Sequence, residues 1–482
     1  MSIPRTDSVY VNGEWQLTTG DEALDVENPA SEETIASVTS ASEADVGEIL
    51  EAATAAQYDW ARRPAKDRGD AVRAIAETMR RNRDELAELI TREQGKPISS
   101  ARGEVEGAAD LAQYNAEWDR RIEGDIVPSD ARNEAVHLVR KPHGVVAAIT
   151  PWNYPVTLFV RKAAPALVTG NTVVLKPSSD TPLSSIRLME LIDEEVDLPP
   201  GVLNLVSGDK QVGQQMVTDP RTDMVTMTGS TQAGKSIMRD AAADLTHVSL
   251  ELGGKAPAIV WKDADVEAAV DDILTARVTN AGQVCTCAER VYVHSDVREE
   301  FEDRYIAAAE SLTIDDPMND PDMGPQVNSR EVESTQQAVA DARDQGASVL
   351  TGGDRPGGDD FEQGHWFLPT VLTDVDNDMR VMQDEVFGPV TPIMEISSLD
   401  EAIDLANDSQ YGLSSYVFTD DYRTAMRVAE DLHFGETYIN RTLGESWQGY
   451  HKGWNESGVG GDDGKHGVLE YTQLKTVYHN YD

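Results

Sequence analysis

Between residues 144 and 228 the chain repeats one unit: a short apolar run, a turn, then a helical stretch. The runs are Gly144 to Thr150, Thr172 to Lys176, Val202 to Val206 and Met224 to Thr228. Each is too short for a buried helix, and most are separated by enough residues to form one. That order predicts parallel strands covered by helices. A second series begins near Pro257, with Ala258 to Trp261, Arg290 to His294, Ala347 to Leu350 and Val390 to Ile396. At 482 residues the chain has room for two or three domains and a large core without disulfide or metal staples. Residues 1–30 read as short strands and turns. From Ala41 to about Glu93 the apolar residues recur with helical period, ending at Gly95-Lys96-Pro97, and residues 99–122 fit a further helix. Residues 352–364, rich in Gly and Asp, read as a surface loop. Leu469 to Tyr478 reads as one late strand.

The charge balance narrows the partners. Asp and Glu total 86 against 41 Lys and Arg, a net charge of −45, and only 12 of the cations are Lys. Such a surface repels nucleic acid and anionic membranes, so neither is an expected partner. The acid excess runs along the whole chain. Self-repulsion on that scale is largely screened in molar salt, where the Debye length is about 3 Å. The expectation is a salt-rich cytoplasm, as in a halophile. No apolar run approaches a membrane span, and the first residues lack a signal-peptide pattern, so a cytoplasmic protein is expected.

There are two cysteines, Cys285 and Cys287. Two apart in a regular segment, they do not easily meet disulfide geometry, and two thiols alone do not make a four-ligand zinc site. Composition alone favours a buried small hydrophobe for each. The local sequence changes that reading for Cys285, which lies in a turn-prone stretch before a strand, where Gly282 allows close backbone approach. Upstream, Glu251 stands in an apolar strand that breaks at Gly253-Gly254. It is either a solvated strand end or a base with a raised pKa. Pro151 to Pro155 holds the amide of Asn153 in a rigid turn.

Gly229 to Ser236 fits G-x-x-x-x-G-K-[ST] at every position, follows a predicted strand and opens a helix. A phosphate-loop nucleotide triphosphatase is therefore an alternative from another class. It also requires a magnesium-binding Asp at another strand end, for which Asp263 is a weak candidate. Backbone N–H groups at such a helix start bind phosphate in either case.

Together these segments resemble the aldehyde dehydrogenase superfamily over nearly the whole chain. The matching pieces are Pro151 to Asn153, Thr169 to Thr172, Lys176 to Ser178, Thr228 to Thr231, Glu251 to Lys255, Gly282 to Cys285, Glu385 to Pro389, Tyr411 to Leu413 and Ser457 to Gly460. The resemblance implies an α/β fold with a Rossmann-type cofactor domain, an α/β catalytic domain and a small β oligomerisation arm. It assigns 1–121 and 142–252 to the first, 253–455 to the second, and 122–141 with 456–482 to the arm. A homodimer or homotetramer is implied. Cys285 is then the nucleophile that forms a thiohemiacetal and a thioester, Asn153 an oxyanion donor, and Glu251 the base that activates water. The cofactor, NAD or NADP, lies along Thr150, Pro151, Trp152, Lys176, Ser178, Ser179, Gly208, Gly213, Gly229, Ser230, Leu252, Glu385 and Phe387. No metal is implied.

Two departures bear on specificity. NAD-preferring relatives usually carry a Glu at the position of Ser179, where it binds the ribose 2′-hydroxyl. Serine would not repel a 2′-phosphate, so the reading expects use of both cofactors. The segments Gly435 to Arg441, Gln448 to His451, Gly453-Trp454, Gly461 to Gly467 and Asn280 to Arg290 resemble the lactaldehyde and glycolaldehyde dehydrogenase branch, in which positions matching Arg161, Glu445 and His451 contact a small hydroxyaldehyde. The alternative for those residues is that Arg161 pairs with a carboxylate on its own helix and His451 lies on the surface. Gly444 replaces a bulkier residue of the branch and leaves room for a longer substrate. Arg161 suits a carboxylate equally well, which keeps a succinic or 2-oxoglutaric semialdehyde open.

Overall fold

Parallel strands covered on both faces need continuous apolar runs, and the runs after residue 144 meet that need. The computed structural model, which describes residues 3–481, places them at the centre of an eight-stranded sheet. Five parallel strands lie there in the order His247–Glu251, Met224–Thr228, Val145–Ile149, Thr172–Lys176 and Leu203–Leu205. Chain order therefore reverses between Val145–Ile149 and Met224–Thr228. A crevice opens at the carboxyl ends of strands where the order reverses, and ligands bind there. Ser8–Val11 and Glu14–Leu17 extend one edge of the sheet as a hairpin.

The second series forms a seven-stranded sheet in the order Ser348–Thr351, Thr370–Thr373, Val390–Ile396, Ala288–His294, Ala256–Val260, Ser414–Phe418 and Glu436–Ile439. All neighbours run parallel except the first pair. Three of these strands, Thr370–Thr373, Ser414–Phe418 and Glu436–Ile439, carry no signal picked out from the sequence.

The long helical pattern after Ala41 is three helices, Glu43–Arg62, Ala65–Arg81 and Arg83–Gln94. Ser42 and Asp45 form a capping box at the first, and Pro64 separates it from the second. The helix Pro155–Thr169 is buried along all its residues and stops at Gly170, whose φ of 101° suits a left-handed cap. It carries Arg161 and Lys162 into the interior.

The carboxyl-terminal segment departs from expectation. The strand expected over 469–478 is the helix Gly464–Glu470 followed by the strand Thr472–Asn480. Residues 456–471 lie outside the small sheet formed by Asp125–Val127, Glu134–Pro142 and Thr472–Asn480. Gly458–Val459 pairs with His247–Glu251 at the edge of the large sheet, where a Cβ on Gly458 would lie 2.6 Å from the Leu250 carbonyl oxygen. Thr472–Asn480 pairs antiparallel with Glu134–Pro142, which also pairs with Asp125–Val127. This small sheet exposes Ile126, Leu474 and Tyr478. Among the described residues no helix is long and apolar enough to cross a membrane.

Candidate active site

A cavity of about 580 Å³ is lined by segments that follow strands of both large sheets, with Arg161, Glu445, Trp447 and His451 in one group and Trp152, Ser230, Glu385 and Phe387 in another. Cys285 and Asn153 lie on its wall.

The loop that carries Cys285 is held in an unusual backbone shape. Asn280, Ala281 and Gly282 have φ of 52°, 54° and 78°, three left-handed residues in succession. For the two non-glycine residues this costs on the order of 1–3 kcal/mol each, so the surroundings must enforce it. At Gly282 a Cβ would sit 2.4 Å from the carbonyl of Gly388, which leaves no room for another residue. The loop is tied to the turn after Val145–Ile149. The Asn280 amide donates to the Asn153 carbonyl at 3.1 Å, and the Asn153 amide donates to the Gln283 carbonyl at 2.9 Å. Below that turn lies a buried pair: Lys96 Nζ donates to Glu104 Oε2 at 2.5 Å and to the Asn153 carbonyl at 2.7 Å.

The two thiols differ in environment. Cys287 is fully buried, and burial pushes its thiol up to about 12, which makes it inert. Cys285 is half-buried and open to the cavity. Burial raises its thiol too, but His451 and Arg161 pull against the rise.

Glu251 ends its strand fully enclosed, and neither carboxylate oxygen has a hydrogen-bond partner. Burial lifts its carboxyl well above the usual carboxylate range, with His451 opposing. It is not on the cavity wall. His451 stands on the wall instead, with Nε2 3.8 Å from Glu251 Oε2. Nδ1 of His451 donates to Glu436 Oε1 at 3.0 Å and lies 3.6 Å from Glu445 Oε1. Burial works against the charged imidazole, but Glu436, Cys285 and Glu251 outweigh it and hold His451 well above its ordinary value.

Arg161 pairs with Asp463 at 2.8 Å, and its buried Nε has no acceptor in the protein. The neighbouring Lys162 forms a buried ion pair with Asp462. Burial pushes Asp463 up to about 6 despite Arg161. At Glu445 burial acts upward, but His451 and Arg161 outweigh it and hold the carboxyl low.

At the opposite end Ser230 caps the helix Thr231–Ala241, accepting from the Ala233 N–H at 3.2 Å. Glu385 accepts the Gly254 N–H at 2.9 Å, and burial, reinforced by Glu289, pushes it up to about 8. Phe387 meets Trp152 edge-on at 5.4 Å between ring centres. Lys176 ends its strand, and burial pushes its amine down to about 8 against Asp209 and Asp180. Gly213 faces it, with space for a Cβ 3.6 Å from Lys176 Cδ.

The sequence matches the Aldehyde dehydrogenase family over residues 15–477, nearly the whole chain. The chain belongs to the aldehyde dehydrogenase family. It is 44% identical over 476 residues to the 3,6-anhydro-alpha-L-galactose dehydrogenase of Vibrio sp. (strain EJY3), covering 98% of this chain and 99% of that one. It is also 44% identical to the lactaldehyde dehydrogenase of Escherichia coli (strain K12), covering 99% of each. The crystal structure of lactaldehyde dehydrogenase from Escherichia coli superposes with a TM-score of 0.97 at 44% identity, over 99% of this chain and 100% of that chain. The fold is thus the aldehyde dehydrogenase fold, and the chain is an oxidoreductase of a family that acts on aldehydes with NAD or NADP.

Within this aldehyde dehydrogenase fold the expected residues fall into three groups. Asn153, Cys285, Arg161, Glu445 and His451 meet on one wall, with Pro151, Trp152, Gly229, Ser230, Leu252, Glu385 and Phe387 beside them. Thr150, Lys176, Ser178, Ser179 and Gly208 lie outside the cavity lining, along the neighbouring strand ends, and Gly213 lies outside it on the helix Lys210–Thr218. Glu251 lies behind His451. The apparent phosphate loop is explained by the fold. Lys235 turns away from the helix start and pairs with Glu456 at 2.6 Å on the surface, so it does not reach a phosphate held there. Arg161 pairs with Asp463 and not with a carboxylate of its own helix, and His451 is buried and not on the surface. Glu436, Asp462, Asp463 and Trp447 escape the sequence reading. In a chain with 86 acids, three more carboxylates carry no signal.

Proposed function

We propose that this chain oxidises a small, uncharged hydroxyaldehyde to its carboxylic acid, through a thioester on Cys285. The observation that carries the substrate class is the ion pair of Arg161 with Asp463. With its charge already matched, Arg161 offers its remaining buried N–H to a neutral oxygen. Glu445 supplies an acceptor and His451 a donor for a hydroxyl. A site that bonds a hydroxyl in this way rejects analogues that lack it. A dicarboxylic semialdehyde fits less well, because its carboxylate would face Asp463, Glu445 and Glu436 as well as Arg161. Gly444 on the wall leaves space beyond the hydroxyl, so lactaldehyde and larger sugar-derived aldehydes both fit.

The residues at the opposite end suit a pyridine dinucleotide. The helix start at Ser230 presents N–H groups for a pyrophosphate, the enclosed Glu385 and Lys176 suit ribose hydroxyls, and Gly213 permits close approach to Lys176. When bound there, the nicotinamide supplies the hydride acceptor. The chain's own residues do the rest. Cys285 attacks the aldehyde carbon as a thiolate. The Asn153 amide and the Cys285 backbone N–H hold the oxyanion. A thioester then remains on Cys285, and Glu251 takes a proton from the water that hydrolyses it. That step requires Glu251 to turn from its buried position toward the cavity. Ser179 leaves space and no repulsion for a 2′-phosphate, so both NAD and NADP serve.

The arm residues 125–142 and 472–480, with Ile126, Leu474 and Tyr478 uncovered, would join subunits of a homodimer or homotetramer. The charge of −45 would suit a salt-rich cytoplasm.

The test is a panel of lactaldehyde, glycolaldehyde, glyceraldehyde and succinic semialdehyde with each cofactor, in high salt. The hydroxyaldehydes should exceed succinic semialdehyde in kcat/KM by about tenfold or more, since tenfold needs only about 1.4 kcal/mol. Preference for succinic semialdehyde would overturn the substrate assignment.

A further inference from the structure

The turn that carries Asn153 is gripped from below by one buried cation. Lys96 lies in the link between the helices Arg83–Gln94 and Ile98–Ala116, and only 2% of it is exposed. Its ammonium donates to Glu104 Oε2 at 2.5 Å and to the Asn153 main-chain carbonyl at 2.7 Å, and it stands 3.6 Å from the centre of the Tyr154 ring. An ammonium has three N–H groups, and here two oxygens and a ring face take them up. Glu104 is committed on both oxygens. Its Oε1 accepts the Val156 N–H at 3.0 Å and the Thr157 N–H at 3.3 Å. Those groups open the buried helix Pro155–Thr169, whose own N-cap, Tyr154, offers no side-chain bond. Glu104 therefore cannot turn away from Lys96 without leaving a helix start unpaired in the interior.

Asn153 is held at two points. Its main-chain carbonyl accepts from Lys96 on one side and from the Asn280 amide, at 3.1 Å, on the other, so the Cys285 loop and the Lys96 link meet on one oxygen. Its side-chain amide gives one N–H to the Gln283 carbonyl at 2.9 Å. A carbonyl only accepts, so the amide cannot be turned over, and its second N–H is the one left for the cavity. Where that N–H points depends on where the main chain of residue 153 sits. A buried ion pair is a poor way to stabilise a fold, since well-packed apolar side chains often do as well or better. It is a good way to fix a carbonyl, because a charged donor bonds roughly twice as strongly as a neutral one.

We propose that Lys96 is a positioning residue: anchored by Glu104, it fixes the main chain of Asn153 so that the free amide N–H meets the oxyanion. The proposal rests on the reading of Asn153 as an oxyanion donor. Lys96 exchanges no proton and touches no reacting atom. It acts only through the amide, and a displacement of about 1 Å there can cost about 10²-fold in rate.

The experiment is a double-mutant cycle in the full chain, read as kcat and KM with lactaldehyde and NAD for wild type, Lys96→Met, Asn153→Ala and the double variant. Lys96→Met should lower kcat about tenfold or more and leave the KM for NAD unchanged. Placed on Asn153→Ala it should lower kcat no further, to within about twofold, because the amide through which it acts is gone. A role confined to folding would lower kcat alike in both backgrounds. Losses that multiply, or an unchanged kcat in Lys96→Met, overturn the proposal. Lys96→Met also strands the Glu104 carboxylate. If it fails to fold, the same cycle is run with Lys96→Met/Glu104→Gln, which strands no charge and keeps an oxygen for the Val156 N–H. The Asn153→Ala arm separates the two claims. A loss of about 10²–10³ in kcat there, beside losses that multiply, overturns only the positioning role of Lys96. Turnover of Asn153→Ala at the wild-type rate overturns the oxyanion reading, and the role of Lys96 falls with it.

Discussion

The two ends of the cavity are built by different physical means. The end proposed for the cofactor is made from turns that follow parallel strands, with Ser230 at a helix start, Lys176 at the last position of its strand and Trp152 past the end of another. Its proposed recognition elements include backbone N–H groups at the helix start and a lack of bulk at Gly213 and Gly229. The end proposed for the substrate is made from buried and half-buried charges brought from distant segments: Arg161 and Lys162 on one helix, Glu436 on an edge strand, and Glu445, His451, Asp462 and Asp463 on loops. A backbone-shaped site tolerates side-chain change. A site of matched buried charges does not, because removing one member strands another in a low-dielectric interior. The cofactor end is therefore suited to be common to a family, and the substrate end to be particular to a branch.

The largest effect should come from stranding a charge. Lys162→Met leaves Asp462 buried without its cation, and the expected cost is about 3–5 kcal/mol of stability, read by denaturant or thermal unfolding. A loss under 1 kcal/mol would mean that the substrate end is as tolerant as the other. Asn153→Ala, at the junction of the two ends, should lower kcat by about 10²–10³ with cofactor affinity unchanged, as loss of one oxyanion donor does. Equal losses in cofactor binding and in kcat would place Asn153 in the cofactor site instead. Asp463→Asn releases Arg161 from its partner. The ratio of kcat/KM for succinic semialdehyde to that for lactaldehyde should then rise about tenfold, a shift of about 1.4 kcal/mol. An unmoved ratio removes the charge-matching argument. The smallest change belongs to the cofactor end. Ser179→Glu should reduce kcat/KM with NADP by about tenfold or more, leaving the aldehyde KM and the melting temperature as they were. A shift in aldehyde KM would show that the two ends are not separable.

The same contrast explains what the sequence reveals. The cofactor end lies in contiguous strand–turn–helix segments, so its residues announce themselves by local pattern, and the strands at 145–149, 172–176 and 224–228 were readable as apolar runs. The spatial order of those strands was not readable, because each run is equally apolar on both faces. Lys235 shows the limit of pattern: the eight-residue motif is complete, yet its lysine points to Glu456. At the substrate end Arg161 and Asp463 are some three hundred positions apart, and no periodicity connects them. The resemblance supplied Arg161, Glu445 and His451. Their partners Asp463 and Glu436 required coordinates. The break of the last strand at Glu470 was hidden for a similar reason, since the helix Gly464–Glu470 gains its place by packing near the buried helix and not by its own propensity.

The central claim is that Cys285 carries the acyl group and Glu251 releases it. Mixing Glu251→Gln with lactaldehyde and cofactor, followed by rapid quench and mass analysis, tests it most directly. The account predicts a burst of reduced cofactor equal to the number of active sites, with an acyl adduct on the peptide bearing Cys285 that persists for many wild-type turnovers. In the wild type the slow phase should weaken as pH falls through the raised ionisation of Glu251, since the base must be ionised to accept a proton. Steady turnover at the wild-type rate with an unmodified Cys285 would contradict the account.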